Sequence, residues 1–221
     1  MSTVTKKALT PEPATPEQDT EKLLLERLKN SKTDDDYFRW MLFVVGFYRG
    51  ISRVESARAL LDRFLEQSND SEQKAHCHLT LGQIATDEQR FETALRHFAT
   101  ALELGPKRKK VIYVLQNNMG YCFNLLGRYG DGEQHCRKAI ETNWTRASGY
   151  RNLGVSFQGQ GNLVGAAWAL VEAAKADMLD GRARALLEKL LAEHPAIIVR
   201  CPWIAQGLNS EPKTNPAVGL I

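Results

Sequence analysis

Apolar residues recur along most of this chain at intervals of three and four, the spacing typical of amphipathic helices. Clear examples, in chain order, are Met41, Val44, Val45 and Tyr48; Ala57, Leu61 and Phe64; and Leu186, Leu187, Leu190 and Leu191. Thr15-Pro16-Glu17-Gln18 has the composition of a helix start, with a capping threonine and a glutamine that can complete a capping box. The pattern predicts an all-helical protein.

Three stretches follow one template, in which a large residue precedes a glycine and a second helix carries small residues; in the second and third stretches an aromatic residue also follows three positions after the glycine. They are His78-x-x-Leu81-Gly82 with Ala94-x-x-x-Phe98, Met119-Gly120-x-x-Phe123 with Cys136-x-x-Ala139, and Tyr150-x-x-Leu153-Gly154-x-x-Phe157 with Ala166-x-x-x-Leu170. The three glycines are 38 and 34 residues apart. A small residue there lets the two helices of one repeat approach closely. Gly132 replaces the alanine expected on the second helix of the middle repeat, which predicts a weakened repeat because glycine costs about 1 kcal/mol in a helix.

A period near 34 residues with this pattern is the signature of the tetratricopeptide repeat, and the sequence resembles that family over residues 75–180. The resemblance implies an all-α, right-handed superhelical α-solenoid of three clear repeats with a C-terminal capping helix. Residues 37–71 lack the Leu-Gly pair, so whether they form a true fourth repeat stays open.

The expected organisation runs from a loose N-terminus through the repeats to a tail. Its segments are 1–14, disordered; 15–33, an amphipathic helix; 37–71, a degenerate helix pair; 75–108, 113–146 and 147–180, the three repeats; 181–195, the capping helix; and 196–221, a tail. The first half of the tail is apolar and can fold back on the array, whereas its second half is expected to be loose.

Composition and charge limit the classes of partner and the cellular location expected for this chain. The net charge is only +3, from 29 basic and 26 acidic residues that interleave along the helices, which argues against a nucleic-acid or membrane binder. The most apolar stretch, Trp40 to Tyr48, is too short to cross a bilayer. No secretory signal is visible, and the four cysteines have no CxxC spacing, so we expect reduced thiols and a cytoplasmic protein.

Catalytic and metal-binding patterns are not evident in the sequence. It contains no GxSxG, GxxxxGK[ST] or HExxH motif. His76-Cys77-His78 and His135-Cys136 carry ligand types, but neighbours on a helix point about 100° apart, so each cluster offers at most one or two convergent ligands. We therefore predict that the protein is not an enzyme and that it binds neither a cofactor nor a metal ion.

In the family, the first helix of each repeat lines a concave groove that holds an extended peptide or a partner's helix. The resemblance places these candidates in the groove: Gln83, Asn117, Asn118, Tyr121, Asn124, Arg151, Asn152 and Gln158. Asn118 and Asn152 occupy equivalent positions where family members use asparagine to bond a ligand's main chain, and side-chain amides both donate and accept. The family's carboxylate clamp is predicted to be absent, because its positions carry Leu79, Val114 and Ser148.

The predicted function is a non-catalytic adaptor or scaffold that binds a protein or peptide segment in the groove. One alternative is a small cytoplasmic chaperone, since the architecture is similar to that of the translocator chaperones of type III secretion. Another is a structural protein that self-associates through the 16–31 helix or the tail. The sequence leaves the partner and the oligomeric state open.

Overall fold

The computed structural model describes residues 15–179 and 181–204. These residues form eleven α-helices and no strand. The helices are α1, Pro16–Lys29; α2, Asp34–Gly50; α3, Val54–Gln67; α4, Ser71–Asp87; α5, Phe91–Glu103; α6, Lys109–Leu125; α7, Tyr129–Thr142; α8, Ala147–Gly159; α9, Leu163–Ala176; α10, Gly181–Glu193; and α11, Ala196–Arg200. The all-α class and the packing of helices in consecutive pairs are confirmed.

The chain divides into two compact units, Met1–Gln67 and Ser68–Ile221. In the first unit α1 packs on α2, and α2 packs on α3. The capping box predicted at the start of α1 is present, since the Thr15 hydroxyl accepts from the Gln18 backbone and the Gln18 side chain accepts from the Thr15 backbone. The apolar residues predicted to face inward on α2 and α3 are all buried. The disorder predicted for 1–14 lies outside the described residues.

The second unit contains three helix pairs, α4 with α5, α6 with α7 and α8 with α9, and α10 packs on α9. Each pair meets at its glycine: a β-carbon at Gly82 would collide with the Phe98 ring, and one at Gly154 would press on Leu170. These glycines allow the close helix approach that the sequence template indicated.

The same turn joins the two helices of each pair. Gln89, Gly127 and Gly161 take left-handed conformations with φ of 59°, 72° and 76°. The next residue then donates its N–H to a carbonyl five residues back, as Arg90 does to Ala85 at 2.8 Å, which is the Schellman arrangement. The repeated turn gives the second helix of each repeat the same direction.

The C-terminal helices close the apolar core around α9. Leu187 and Leu190 of α10 are buried there, and Ile197, Cys201 and Ile204 join the same cluster. The start of the tail therefore folds back on the last repeat. The remainder of the tail, from residue 205, lies outside the described residues.

Candidate binding groove

The first helices of successive repeats, α4, α6 and α8, lie side by side in the second unit. They carry every residue that the resemblance assigns to the groove. We call this surface the groove face; its members are Gln83 on α4, Asn117, Asn118, Tyr121 and Asn124 on α6, and Arg151, Asn152 and Gln158 on α8.

Helix α6 carries an exposed apolar pair, Tyr121 and Leu125, and we add Leu125 to the groove face. Tyr121 is 42% exposed and Leu125 is 47% exposed. Because the two residues are four apart on a helix, their side chains lie on the same face. Leu125 was not among the predicted site residues, although its spacing from Tyr121 was a signal visible in the sequence. The pair adds exposed apolar surface to the helix that carries Asn117 and Asn118.

Two of the predicted groove residues lie in the interior, where they join α6 to α8. Asn124 is 6% exposed and Asn152 is 8% exposed. The Asn124 amide donates to the Asn152 carbonyl at 2.8 Å, and its side-chain oxygen accepts from the Ser156 hydroxyl at 2.8 Å. Asn124 and Asn152 therefore bond one repeat to the next, and a role for them in ligand binding stays a prediction.

Asn117 takes part in the same network. Its side-chain oxygen accepts from the Asn152 amide at 3.1 Å. We call this set, Asn117, Asn124, Asn152 and Ser156, the polar junction. Buried amides must find partners because an unsatisfied polar group costs about 1–3 kcal/mol, and the network supplies them within the fold.

The polar junction explains Gly132. A β-carbon at this position would collide with the Asn124 side-chain oxygen and lie 3.1 Å from the Ser156 hydroxyl. From the sequence, this glycine was expected to weaken the middle repeat. The structure gives it a role, since it provides the space in which Asn124 reaches α8.

The other candidates stay at the surface to different degrees. Gln83, Asn118, Arg151 and Gln158 are half-buried. Near Arg151, two hydrogen bonds hold the start of α8. The Gly149 backbone N–H donates to the Tyr113 hydroxyl at 3.0 Å, and the Tyr113 and Ser148 hydroxyls lie 2.6 Å apart. The role of the four surface residues in ligand binding remains a prediction.

The buried thiols and histidines of this unit are poor candidates for chemistry. Burial raises the pKa of Cys77 and of Cys136 to about 12, so both remain protonated thiols at neutral pH. Burial, with Lys138 nearby, lowers the pKa of His135 below its usual value, and its ring donates to the Gln116 side chain at 2.7 Å. These groups take part in packing and hydrogen bonding.

The described residues contain neither a metal site nor a membrane-spanning helix. No group of three or more His, Cys, Asp or Glu side chains is placed to hold a metal ion within 15–179 and 181–204. In that same part of the chain, no helix combines the length and the apolar character needed to cross a membrane.

No protein-family model and no curated protein matches the sequence. BtubC (BKLC) from P. vanneervenii is similar in fold, with a TM-score of 0.66 at 15% identity over 94% of this chain and 98% of that chain.

Two solved tetratricopeptide repeat structures are also similar. TTC0263, a thermophilic TPR protein of Thermus thermophilus, gives a TM-score of 0.55 at 17% identity over 80% of this chain and 91% of its own. The first TPR of Spaghetti (RPAP3), solved bound to the HSP90 peptide SRMEEVD, gives 0.51 at 18% identity over 57% of this chain and 95% of its own. At these identities the similarity concerns the fold alone.

Proposed function

We propose that this chain, which has the fold of the tetratricopeptide repeat proteins, is a non-catalytic adaptor that binds a partner's peptide segment on the groove face. The observation that carries the proposal is the exposed pair Tyr121 and Leu125 on α6. Burying two such side chains against a partner removes apolar area from water. Each Å² of apolar area buried contributes about 25 cal/mol of favourable free energy. The peptide bound by the RPAP3 repeat supports a peptide as the class of ligand.

The half-buried amides are proposed to orient the segment. Asn118 is on α6 with the apolar pair, and Gln158 is on the neighbouring helix α8. A side-chain amide can donate to a peptide carbonyl and accept from a peptide N–H. The segment would thus be held through its main chain by the amides and through its apolar side chains by Tyr121 and Leu125. A cytoplasmic location is part of the same proposal.

Selection of random dodecapeptides on phage tests this proposal, followed by titration of the selected peptides. Binding to the wild type is compared with Tyr121→Ser/Leu125→Ser. We expect this variant to bind at least about tenfold more weakly, because truncating a central interface side chain costs about 2 kcal/mol.

A matched control changes an equally exposed apolar pair on a second helix. Val164 and Trp168 on α9 are also four residues apart and exposed. Val164→Ser/Trp168→Ser should bind the selected peptides as the wild type does, with circular dichroism showing that both variants are folded. Equal binding by the Tyr121→Ser/Leu125→Ser variant and the wild type would overturn the proposal.

A further inference from the structure

A concave pocket of about 240 Å³ lies at the start of α8, beside the end of α9 and the start of α10. Its charged lining residues are Arg146, Arg151, Arg182 and Asp177. Three arginines against one aspartate leave a formal charge of +2 among these lining residues. The arginine side chains therefore make the lining cationic. We call this the arginine pocket.

The helix start beside the arginine pocket supplies no negative charge of its own. The first turn of α8 has no acidic residue, and its N-cap, Arg146, makes no side-chain capping bond. The start of α4 differs, because Asp70 caps it and Glu72 lies in its first turn. The Ser148 hydroxyl at the pocket is engaged with the Tyr113 hydroxyl.

One of the arginines is held against an aromatic ring. The Arg146 guanidinium lies over the Tyr113 ring at 5.0 Å from its centroid, a cation–π arrangement that limits its motion. A guanidinium with restricted motion loses less entropy when it binds a carboxylate, and its planar donors match a carboxylate in bidentate fashion. The pocket is therefore suited to carboxylate groups.

The arginine pocket is continuous with the groove face along α8. Ser148 and Arg151 line the pocket; Arg151 is also a member of the groove face, and Gln158 of that face follows seven residues, about two helical turns, further along α8. Residues at this spacing lie on one side of a helix. A segment that lies along the groove face can thus extend into the pocket.

We propose that the arginine pocket binds clustered carboxylates of the segment that the groove face holds. The partner is then a peptide with an acidic stretch next to an apolar one. This inference rests on the proposed function, which it deepens by naming the chemistry of the partner. Arg146 and Arg182 lie outside the set of groove residues that the sequence predicted.

Fluorescein-labelled hexaglutamate and hexaglutamine are the probes for a direct test. We expect the wild type to bind hexaglutamate more tightly than hexaglutamine, and binding to weaken as salt is raised. Arg151→Gln/Arg182→Gln should weaken hexaglutamate binding at least about tenfold, since a hydrogen bond to a charged group contributes about 1.5–3 kcal/mol. Arg146→Gln serves as a second variant should the double variant melt at a lower temperature.

Arg184→Gln is the matched control, because Arg184 is an exposed arginine of α10 that does not line the pocket. It should bind hexaglutamate as the wild type does. Equal affinity for the two probes, or equal loss in the control and the pocket variants, would overturn the inference.

The phage-selected peptides separate this inference from the proposed function. Peptides that need Tyr121 and Leu125 for binding support the groove assignment. If those same peptides have no excess of Asp and Glu, and bind Arg151→Gln/Arg182→Gln as tightly as the wild type, the assignment of the arginine pocket fails while the groove assignment stands. If they are indifferent to Tyr121 and Leu125, the groove assignment fails.

Discussion

The two connections between successive repeats in the second unit differ in how far buried hydrogen bonds contribute to them. The connection around α4, α5 and α6 is apolar, with Leu79, Phe98, Leu115 and Met119 in one buried cluster; we call it the apolar junction. The connection between α6 and α8 includes the polar junction, in which asparagine and serine side chains bond across the two helices. One fold therefore accommodates two ways of joining a repeat to the next.

The two junctions should respond differently to mutation. Apolar packing depends on volume and shape and tolerates substitutions that conserve both. A buried hydrogen-bond network depends on which group donates and which accepts, so that even an isosteric change leaves a partner unsatisfied. Conservative substitutions thus separate the two junctions more sharply than truncations do.

The largest expected effect is at the apolar junction. Phe98 is fully buried against Gly82. Phe98→Ala should lower the free energy of unfolding by about 3–5 kcal/mol, the range for a buried phenylalanine, as measured by urea denaturation. Phe98→Leu should cost much less because it keeps most of the volume. A similar cost for the two variants would mean that the junction is not held by packing.

The next effect is at the polar junction. Asn124→Ala should lower the free energy of unfolding by about 1–3 kcal/mol, because it removes the buried hydrogen bonds to the Asn152 carbonyl and the Ser156 hydroxyl. Asn124→Asp should cost at least as much, since a carboxylate cannot donate to the carbonyl. Asn118→Ala, on the same helix but half-buried, is the control and should stay within about 0.5 kcal/mol. Equal costs at positions 118 and 124 would contradict the assignment of Asn124 to the interior.

A third experiment tests the role of Gly132. Gly132→Ala alone should destabilise by about 1–2 kcal/mol, because the overpacking against Asn124 outweighs the better helix propensity of alanine. In the Asn124→Ala background the same change should become stabilising, by up to about 1 kcal/mol. A double-mutant cycle in urea measures the coupling. No coupling would mean that Gly132 is unrelated to the polar junction.

The smallest expected effect is a dependence of stability on pH. The folded-state pKa of His135 is lowered, mainly by burial, so below its unfolded value of about 6.5 the unfolded chain binds more protons than the folded one. Stability should therefore fall as the pH drops from about 7 towards 5. His76 has a lowered pKa by the same cause and adds to the slope with the same sign.

His135→Gln should reduce that slope without abolishing it, which urea denaturation at several pH values would measure. The remaining slope should decrease further in His76→Gln/His135→Gln. An unchanged slope in both variants would show that neither histidine titrates differently in the folded and unfolded states.

Much of the fold could be predicted because it depends on local and periodic signals. Thr15 and Gln18 form a cap within one turn, and Gly82 and Gly154 recur at the point where two helices must touch. Such features are visible in residues near one another in sequence. They specify helix starts and pairings regardless of what the rest of the chain does.

The site was less predictable because the role of a polar side chain depends on its neighbours in three dimensions. Asn118 and Asn152 have the same position in their repeats, yet only Asn152 is buried in a bonding network. For the buried role of Asn124, the signal in the sequence was Gly132, which stands where alanine was expected and marks the space taken by the Asn124 side chain. The arginine pocket joins Arg146 and Arg182, which are far apart in sequence, and no local pattern links them.

The most direct test of the central claim is nuclear magnetic resonance of the uniformly ¹⁵N-labelled protein titrated with a phage-selected peptide. We predict that the backbone amide signals that move most belong to the groove face and its neighbours, in residues 117–125 of α6 and 148–158 of α8. Shifts confined to α9, α10 and α11, with those two segments unchanged, would contradict this assignment.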